Sequence, residues 1–161
     1  MPKDKVDKIM NNIYTTLGAS NHTLKERQAE DYYATDPIAA EKLLEVEQFA
    51  HRIWEPAAGE NHLANVFRAH GHEVRTSDLV KRTPTTEELD FLFPYPTEWD
   101  GDIVTNPPFK HALDFVKRAL AVVGEGRKVA MFLKLTFLEG KERRVFFDTT
   151  PPTRFGCFRS E

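Results

Sequence analysis

Three short segments carry residue types that could do chemistry. The first is Glu55-Pro56-Ala57-Ala58-Gly59-Glu60-Asn61, a carboxylate followed by small residues. Small side chains let a backbone approach a ligand closely. A helix starting just after such a turn adds free N–H groups and a positive dipole. The second is Asp78, nineteen residues beyond Gly59. An acid at the end of the next strand typically accepts hydrogen bonds from ribose hydroxyls. The third is Asp102-Ile103-Val104-Thr105-Asn106-Pro107-Pro108-Phe109, where a strand meets a rigid double proline and an aromatic ring.

Each segment also has a plainer reading. Pro56 to Gly59 could be an ordinary strand-helix turn, Asp78 could cap a helix, and Asn106-Pro107-Pro108-Phe109 could be a stiff loop. Against the last stands its position after a buried-looking strand, where a proline pair is costly without purpose. Together, in this order, the three leave chance as a poor explanation.

The elements that must position them alternate. Arg52-Ile53-Trp54-Glu55 reads as a strand, residues 62–70 as a helix with Leu63, Val66 and Phe67 inward, and Glu73 to Asp78 as a second strand. Residues 79–101 read as irregular, and Asp102 to Thr105 as a strand. Ala112, Phe115, Val116, Ala119, Leu120 and Val123 mark a helix, and residues 128–134 a further strand. Alternating strands and helices imply an α/β fold, a mostly parallel sheet covered by helices on both faces. In such sheets ligands bind beyond the carboxyl ends of the strands, where all three segments fall. Upstream, Asp36-Pro37 opens a helix as N-cap and first-turn proline, with Ala40, Leu43 and Leu44 as its apolar face. Residues 4–17 carry an amphipathic stripe of Val6, Ile9, Met10, Ile13, Tyr14 and Leu17, followed by a polar stretch to Glu30. The expected organisation is an N-terminal helix and linker over 1–30 and a single domain over 31–161.

Composition bounds the function. The 161 residues suit one core, and no run of eighteen apolar residues suggests a membrane span. The charge-alternating N-terminus lacks the apolar stretch of a secretory signal. A single cysteine, Cys157, precludes an internal disulfide and fits the cytoplasm. His70 and His72 lack the companion ligands of a zinc site, so no metal is expected. Trp54 and Trp99 read as core and loop anchors. Residues 110–161 hold 11 Lys and Arg against 6 Asp and Glu, whereas 1–109 hold 11 against 19. The basic third could face phosphates, or could simply be a solvated helix face carrying Lys141, Arg143 and Arg144.

With these residues in view, the chain resembles the phage and prophage type of DNA adenine-N6 methyltransferase. Asn106-Pro107-Pro108-Phe109 matches the catalytic signature of that family, and Glu55 to Gly59 its cofactor turn. Asp31-Tyr32-Tyr33-Ala34-Thr35-Asp36-Pro37 resembles its upstream tyrosine-threonine-proline element, and Asp90-Phe91-Leu92 the element that holds the cofactor's adenine. Phe132-Leu133-Lys134 and Phe137-Leu138-Glu139-Gly140 resemble a later segment, so the match runs from about residue 19 to 154. The helix over 4–17 falls outside it.

The resemblance implies a Rossmann-like class I methyltransferase fold, S-adenosylmethionine as cofactor and DNA as partner, with the target adenine flipped out. It implies that the side-chain oxygen of Asn106 and the carbonyl of Pro107 accept the adenine's amino protons. Pro107 and Pro108 keep those acceptors preorganised, and Phe109 stacks on the base. By the same carry-over Asp78 holds the ribose, and Asp90 with Phe91 the cofactor adenine. Tyr33, Thr35, Glu55, Pro56, Ala57 and Gly59 line the rest of the cofactor site, Thr35 and the turn meeting its methionine end.

Two departures from the family pattern stand out. Asn61 occupies the place of a second glycine, and Asn tolerates positive φ, which would put a side chain near the cofactor. The family sheet has seven strands, whereas this chain ends just after residues 153–159, a candidate sixth strand. A C-terminally short domain with an incomplete last hairpin is therefore expected. Phe146, Phe147, Phe155 and Phe158 are then candidates for an exposed patch that favours a homodimer, and a separate recognition subunit is the other expected partner. Two other readings stay open: a cofactor-binding remnant without activity, and an N-methyltransferase acting on RNA adenine or protein glutamine. The tyrosine-rich upstream element favours DNA over glutamine.

Overall fold

The computed structural model describes residues 34–94 and 97–157. The chain divides into two compact units, Met1–Tyr32 and Tyr33–Glu161. The helix expected over 4–17, Tyr33, Tyr95 and Phe158 lie outside the described residues.

Five parallel strands form the second unit's sheet in the order β3-β2-β1-β4-β5. They are β1 (Arg52–Glu55), β2 (Glu73–Asp78), β3 (Glu87–Glu88), β4 (Asp102–Thr105) and β5 (Val129–Met131). The helices are α1 (Pro37–Val46), α2 (His62–Ala69), α3 (Ala112–Val122) and α4 (Lys141–Thr149), with short 3-10 turns at Phe109–His111 and Leu135–Leu138. From β1 the chain steps outward to β2 and β3, then crosses back to place β4 on the other flank of β1. The switch point therefore lies between β1 and β4, where such sheets open a crevice at their carboxyl ends.

Successive strand side chains point to opposite faces, and the core divides accordingly. Trp54 and Ile103 join Phe91, Trp99, Phe115, Ala119 and Val122 on one face. Their sequence neighbours Ile53 and Val104 join Ala40, Leu63, Val66 and Phe67 on the other, beneath α1 and α2. Both faces of the central strands are thus covered, which is why β1 and β4 read as short apolar runs and not as alternating ones. Full burial of each large side chain, such as Trp54 or Phe67, contributes about 1.5–3 kcal/mol. Trp54 also donates from Nε1 to Ser77 Oγ at 2.9 Å and lies under the Arg75 guanidinium, 4.2 Å from its ring. Arg75 in turn grips Glu87 of β3 with two hydrogen bonds. Both tryptophans are core residues, as their sequence context suggested.

Asp102 braces the start of β4. Its carboxylate accepts the Ala50 N–H at 2.6 Å and the Lys128 N–H at 2.8 Å, joining the segments that lead into β1 and β5.

The main departures from the sequence reading are at the margins. β3 falls inside the stretch read as irregular, because two exposed glutamates carry no apolar signal. The strand expected over 128–134 is only three residues long. Residues 153–157 form no strand; the Arg154 guanidinium instead donates to the Val46 carbonyl and Glu47, at the end of α1. Among the described residues no strand follows β5, so that segment has no ladder to join. Phe146 and Phe147 are half-buried against each other, while Phe155 is exposed. Among the described residues no helix is long and apolar enough to cross a membrane.

Candidate active site

The carboxyl ends of β1, β2 and β4 bring Glu55, Asp78 and Asn106 to one edge of the sheet. Parallel pairing fixes this: Glu55 lies opposite Thr76 of β2, and Trp54 opposite Ile103 of β4. Each acidic or amide side chain then sits at, or one residue beyond, the end of its strand.

The turn after β1 is stitched to the end of β2. Ala58 N–H donates to the Ser77 carbonyl at 3.0 Å, and Gly59 N–H to Asp78 Oδ2 at 2.8 Å. Gly59 and Asn61 both adopt positive φ, 53° and 66°. The tolerance of Asn for left-handed backbone is thus used at this turn.

The Asn61 side chain is buried and fully engaged. Its Nδ2 donates to Thr83 at 2.8 Å and Thr85 at 3.1 Å, and its Oδ1 accepts from Thr86 at 3.1 Å. What it offers a ligand is therefore main chain, and the amide itself locks the turn to the loop after β2. Replacing it by glycine relieves the left-handed strain but removes these bonds. We expect Asn61→Gly to lower stability by about 1 kcal/mol and Asn61→Ala by about 2 kcal/mol, since alanine keeps the strain as well. Urea denaturation midpoints check the order; a glycine variant more stable than the wild type would refute it.

Glu55 is 2% exposed. One carboxylate oxygen accepts the Ala64 N–H of α2, and Oε2 has no partner among the described residues. Burial pushes its pKa well above the ordinary carboxylate range, and the nearby Asp78 adds to this; the Ala64 bond and Arg68 act the other way. The sign for stability follows. Above about pH 4.3 the unfolded chain gives up a proton that the folded one keeps, so this group's contribution falls as pH rises. We expect wild-type stability to fall as pH rises above about 5, more steeply than that of Glu55→Gln, by at most about 1.4 kcal/mol per unit. Parallel profiles in denaturant titrations would show that Glu55 ionises normally.

Asp78 is buried too, and its carboxylate is occupied from three sides. Besides Gly59, it accepts the Val80 N–H at 3.0 Å and faces Arg82 Nη1 at 3.5 Å. Asp90 is half-buried; burial raises its pKa, opposed by the N–H groups of Leu92 and Phe93 and by the charge of His111. That last influence ties the Asp90 turn to the segment after Phe109. Phe91 packs its ring edge-on to Trp54 at 5.1 Å and against Phe115 at 5.2 Å. Its ring belongs to the core, and its carbonyl accepts from Arg118 Nε at 3.3 Å.

Beyond β4, Pro107 is buried and Pro108 leads into the 3-10 turn through a hydrogen bond from His111 N–H to its carbonyl at 3.0 Å. Asn106 donates from Nδ2 to Thr35 Oγ1 at 3.0 Å. Neither Asn106 Oδ1 nor the Pro107 carbonyl accepts a hydrogen bond from a described residue. The half-buried Phe109 ring lies 4.0 Å from the ammonium of Lys134. Sequence reasoning missed four features here: the Thr35 bond, the threonine cluster, Arg82 and Lys134. Only the run Thr83-Pro84-Thr85-Thr86 is visible in the sequence, as a concentration of hydroxyls, and nothing in it points to Asn61. Among the described residues no group of three or more His, Cys, Asp and Glu side chains could hold a metal ion.

No family model matches the chain. No curated protein matches it either. Solved structures do. The putative RNA methyltransferase PH1948 from Pyrococcus horikoshii is similar at 18% identity and a TM-score of 0.52, over 74% of this chain and 69% of that one. The 23S rRNA methyltransferase ErmE is similar at 18% identity and a TM-score of 0.51, over 66% of this chain. The chain spans about half of ErmE, 49% of its length. With the sheet order above, these likenesses give the chain the Rossmann-like class I methyltransferase fold.

Proposed function

We propose that the chain transfers the methyl group of S-adenosylmethionine to the N6 amino group of adenine in DNA. The observation that carries this is the end of β4. Asn106 Oδ1 and the Pro107 carbonyl have no donor among the described residues, and both lie at the switch point, next in sequence to the aromatic ring of Phe109.

The edge also fits the cofactor. The left-handed turn at Gly59 and Asn61 presents backbone without bulk, and Glu55 Oε2, without a partner among the described residues, is an unpaired polar atom in the same segment. The half-buried Asp90 carboxylate suits an adenine edge, and Asp78 suits ribose hydroxyls. S-adenosylmethionine, when bound, supplies a methyl carbon on a sulfonium that an amine can displace.

An adenine amino group is a poor nucleophile because its lone pair is delocalised into the ring. Asn106 Oδ1 and the Pro107 carbonyl would accept hydrogen bonds from its two N–H groups and favour a pyramidal nitrogen with the lone pair free. As the N–C bond formed and the S–C bond broke, the thioether would leave and the surplus proton would pass to solvent. Pro107 and Pro108 hold those acceptors in place before the base arrives, so catalysis rests on positioning and electrostatics and not on a strong base. Phe109 would stack on the flipped base. DNA is the partner in this reading, engaged by the chain alone, as a homodimer, or with a recognition subunit.

A second reading has its own support: both structural neighbours are named for RNA, which favours RNA over DNA as the carrier of the adenine. One experiment separates the readings. The protein is incubated with S-adenosylmethionine bearing a deuterated methyl group and with DNA or RNA, and the nucleosides are analysed by mass spectrometry. Deuterated N6-methyldeoxyadenosine is the expected product. Label in RNA alone would transfer the proposal to RNA. Label in neither, from folded protein that binds the cofactor in calorimetry, would leave a binding module.

A further inference from the structure

We propose that Thr35 is a positioning residue for Asn106: its hydroxyl accepts the Asn106 amide N–H and so presents Oδ1 to the substrate amino group. The inference rests on the reading of Asn106 as an acceptor. An asparagine amide has two ends of nearly equal size and opposite chemistry. Turned the wrong way it would set NH2 donors against the donors of an adenine amino group. Something must therefore specify which end faces the crevice.

Thr35 Oγ1, at 3.0 Å from Nδ2, is the only described hydrogen-bond partner of the Asn106 side chain, and it lies 71 residues away in the chain. A hydroxyl can donate as well as accept; in the arrangement observed Oγ1 accepts from Nδ2, which turns Oδ1 away from Thr35 and leaves it without a described donor. Thr35 is itself well anchored. The next residue, Asp36, caps α1 by accepting the Ile38 N–H at 3.0 Å, and Pro37 sets the first turn. The helix packs Ala40 into the same cluster as Val104, two residues before Asn106 on β4. The two ends of the Thr35–Asn106 bond are thus joined through the core as well, and a β-branched side chain has little freedom at χ1 to swing away. The resemblance gave Thr35 a different role, at the methionine end of the cofactor. The two roles predict opposite splits between binding and turnover.

The test uses Thr35→Val, which keeps shape and loses the acceptor, and Thr35→Ser, which keeps the hydroxyl. Hydrogen exchange of the Asn106 side-chain amide, followed by NMR with isotopic labelling, reads the bond without any turnover. Protection is expected in the wild type and Thr35→Ser and lost in Thr35→Val. For methyl transfer, Thr35→Val should lower kcat about tenfold, the rate equivalent of one ordinary hydrogen bond, with the cofactor Kd within about twofold. Thr35→Ser should restore most of the rate. Unchanged amide protection and kcat in Thr35→Val would overturn the proposal. So would a raised cofactor Kd with kcat intact, which would place Thr35 on the cofactor. If the wild type transfers no methyl group to any nucleic acid, the proposed function fails, and the exchange result still decides whether Thr35 orients the amide.

Discussion

Asn106→Ala should lower kcat for methyl transfer about 10²–10³-fold, the typical cost of removing one preorganised hydrogen-bonding group from a transition state. The cofactor Kd should stay within about twofold. The reason lies in which state uses the side chain. Asn106 Oδ1 has no described donor in the resting protein, so its acceptor capacity is unspent until an amino group arrives and pyramidalises. An interaction made only there acts on kcat and not on ground-state binding. The structural loss is small by comparison: one hydrogen bond to Thr35 from a half-buried side chain. Rapid-quench turnover with saturating cofactor, paired with calorimetric titration, measures both quantities. Turnover retained within a few-fold would remove Asn106 from the chemistry and, with it, the main support for methyl transfer at this edge.

The sequence made the central strands legible because buried parallel strands are short apolar runs, and Ile53-Trp54 and Ile103-Val104 are such runs between clear turn residues. Helix α1 was legible from Asp36-Pro37, where the cap bond and the first-turn proline both form as their chemistry requires. The positive φ at Asn61 was also legible, since few residue types other than glycine accept it. What Asn61 does with its side chain was not. Its three threonine partners lie 22 to 25 residues downstream, in a loop whose path no periodicity describes. β3 stayed hidden for a related reason: it exists only because the end of β2 offers Ser77 and Asp78 as pairing partners.

The site shows the same division. Residue types at the strand ends could be read one segment at a time, because each segment carries its own chemistry in Glu55, Asp78 and Asn106. Their mutual bonds are long-range and could not. The Gly59–Asp78 bond links the first two segments across nineteen residues, and the Asn106–Thr35 bond reaches back beyond both. Phe91 marks the limit of reading by segment. A phenylalanine in an adenine-holding motif invites a stacking role, yet the ring is 2% exposed and wedged between Trp54 and Phe115.

Asp78 is tied to the fold by three partners and is also the proposed ribose acceptor, so its removal tests both roles. Asp78→Ala leaves the N–H groups of Gly59 and Val80 and the guanidinium of Arg82 without their shared acceptor. An orphaned buried donor costs about 1–3 kcal/mol, and bonds to a charged group lie toward the upper end. The expected loss of stability is about 3 kcal/mol, larger than for either Asn61 variant, and visible as a lower denaturation midpoint. Asp78→Asn should lose less, because an amide keeps one acceptor oxygen for Gly59. Cofactor affinity separates bracing from contact. Gly59 and Val80 use one oxygen each, at 2.8 and 3.0 Å, and Arg82 is the most distant of the three partners at 3.5 Å. A ribose hydroxyl would therefore take the place nearest Arg82. If the carboxylate serves the ribose, Asp78→Asn should bind S-adenosylmethionine about tenfold more weakly even where it is fully folded, the equivalent of one charge-assisted hydrogen bond. An unchanged Kd in folded Asp78→Asn would confine Asp78 to bracing the Gly59 turn, and the ribose would need another acceptor at this edge.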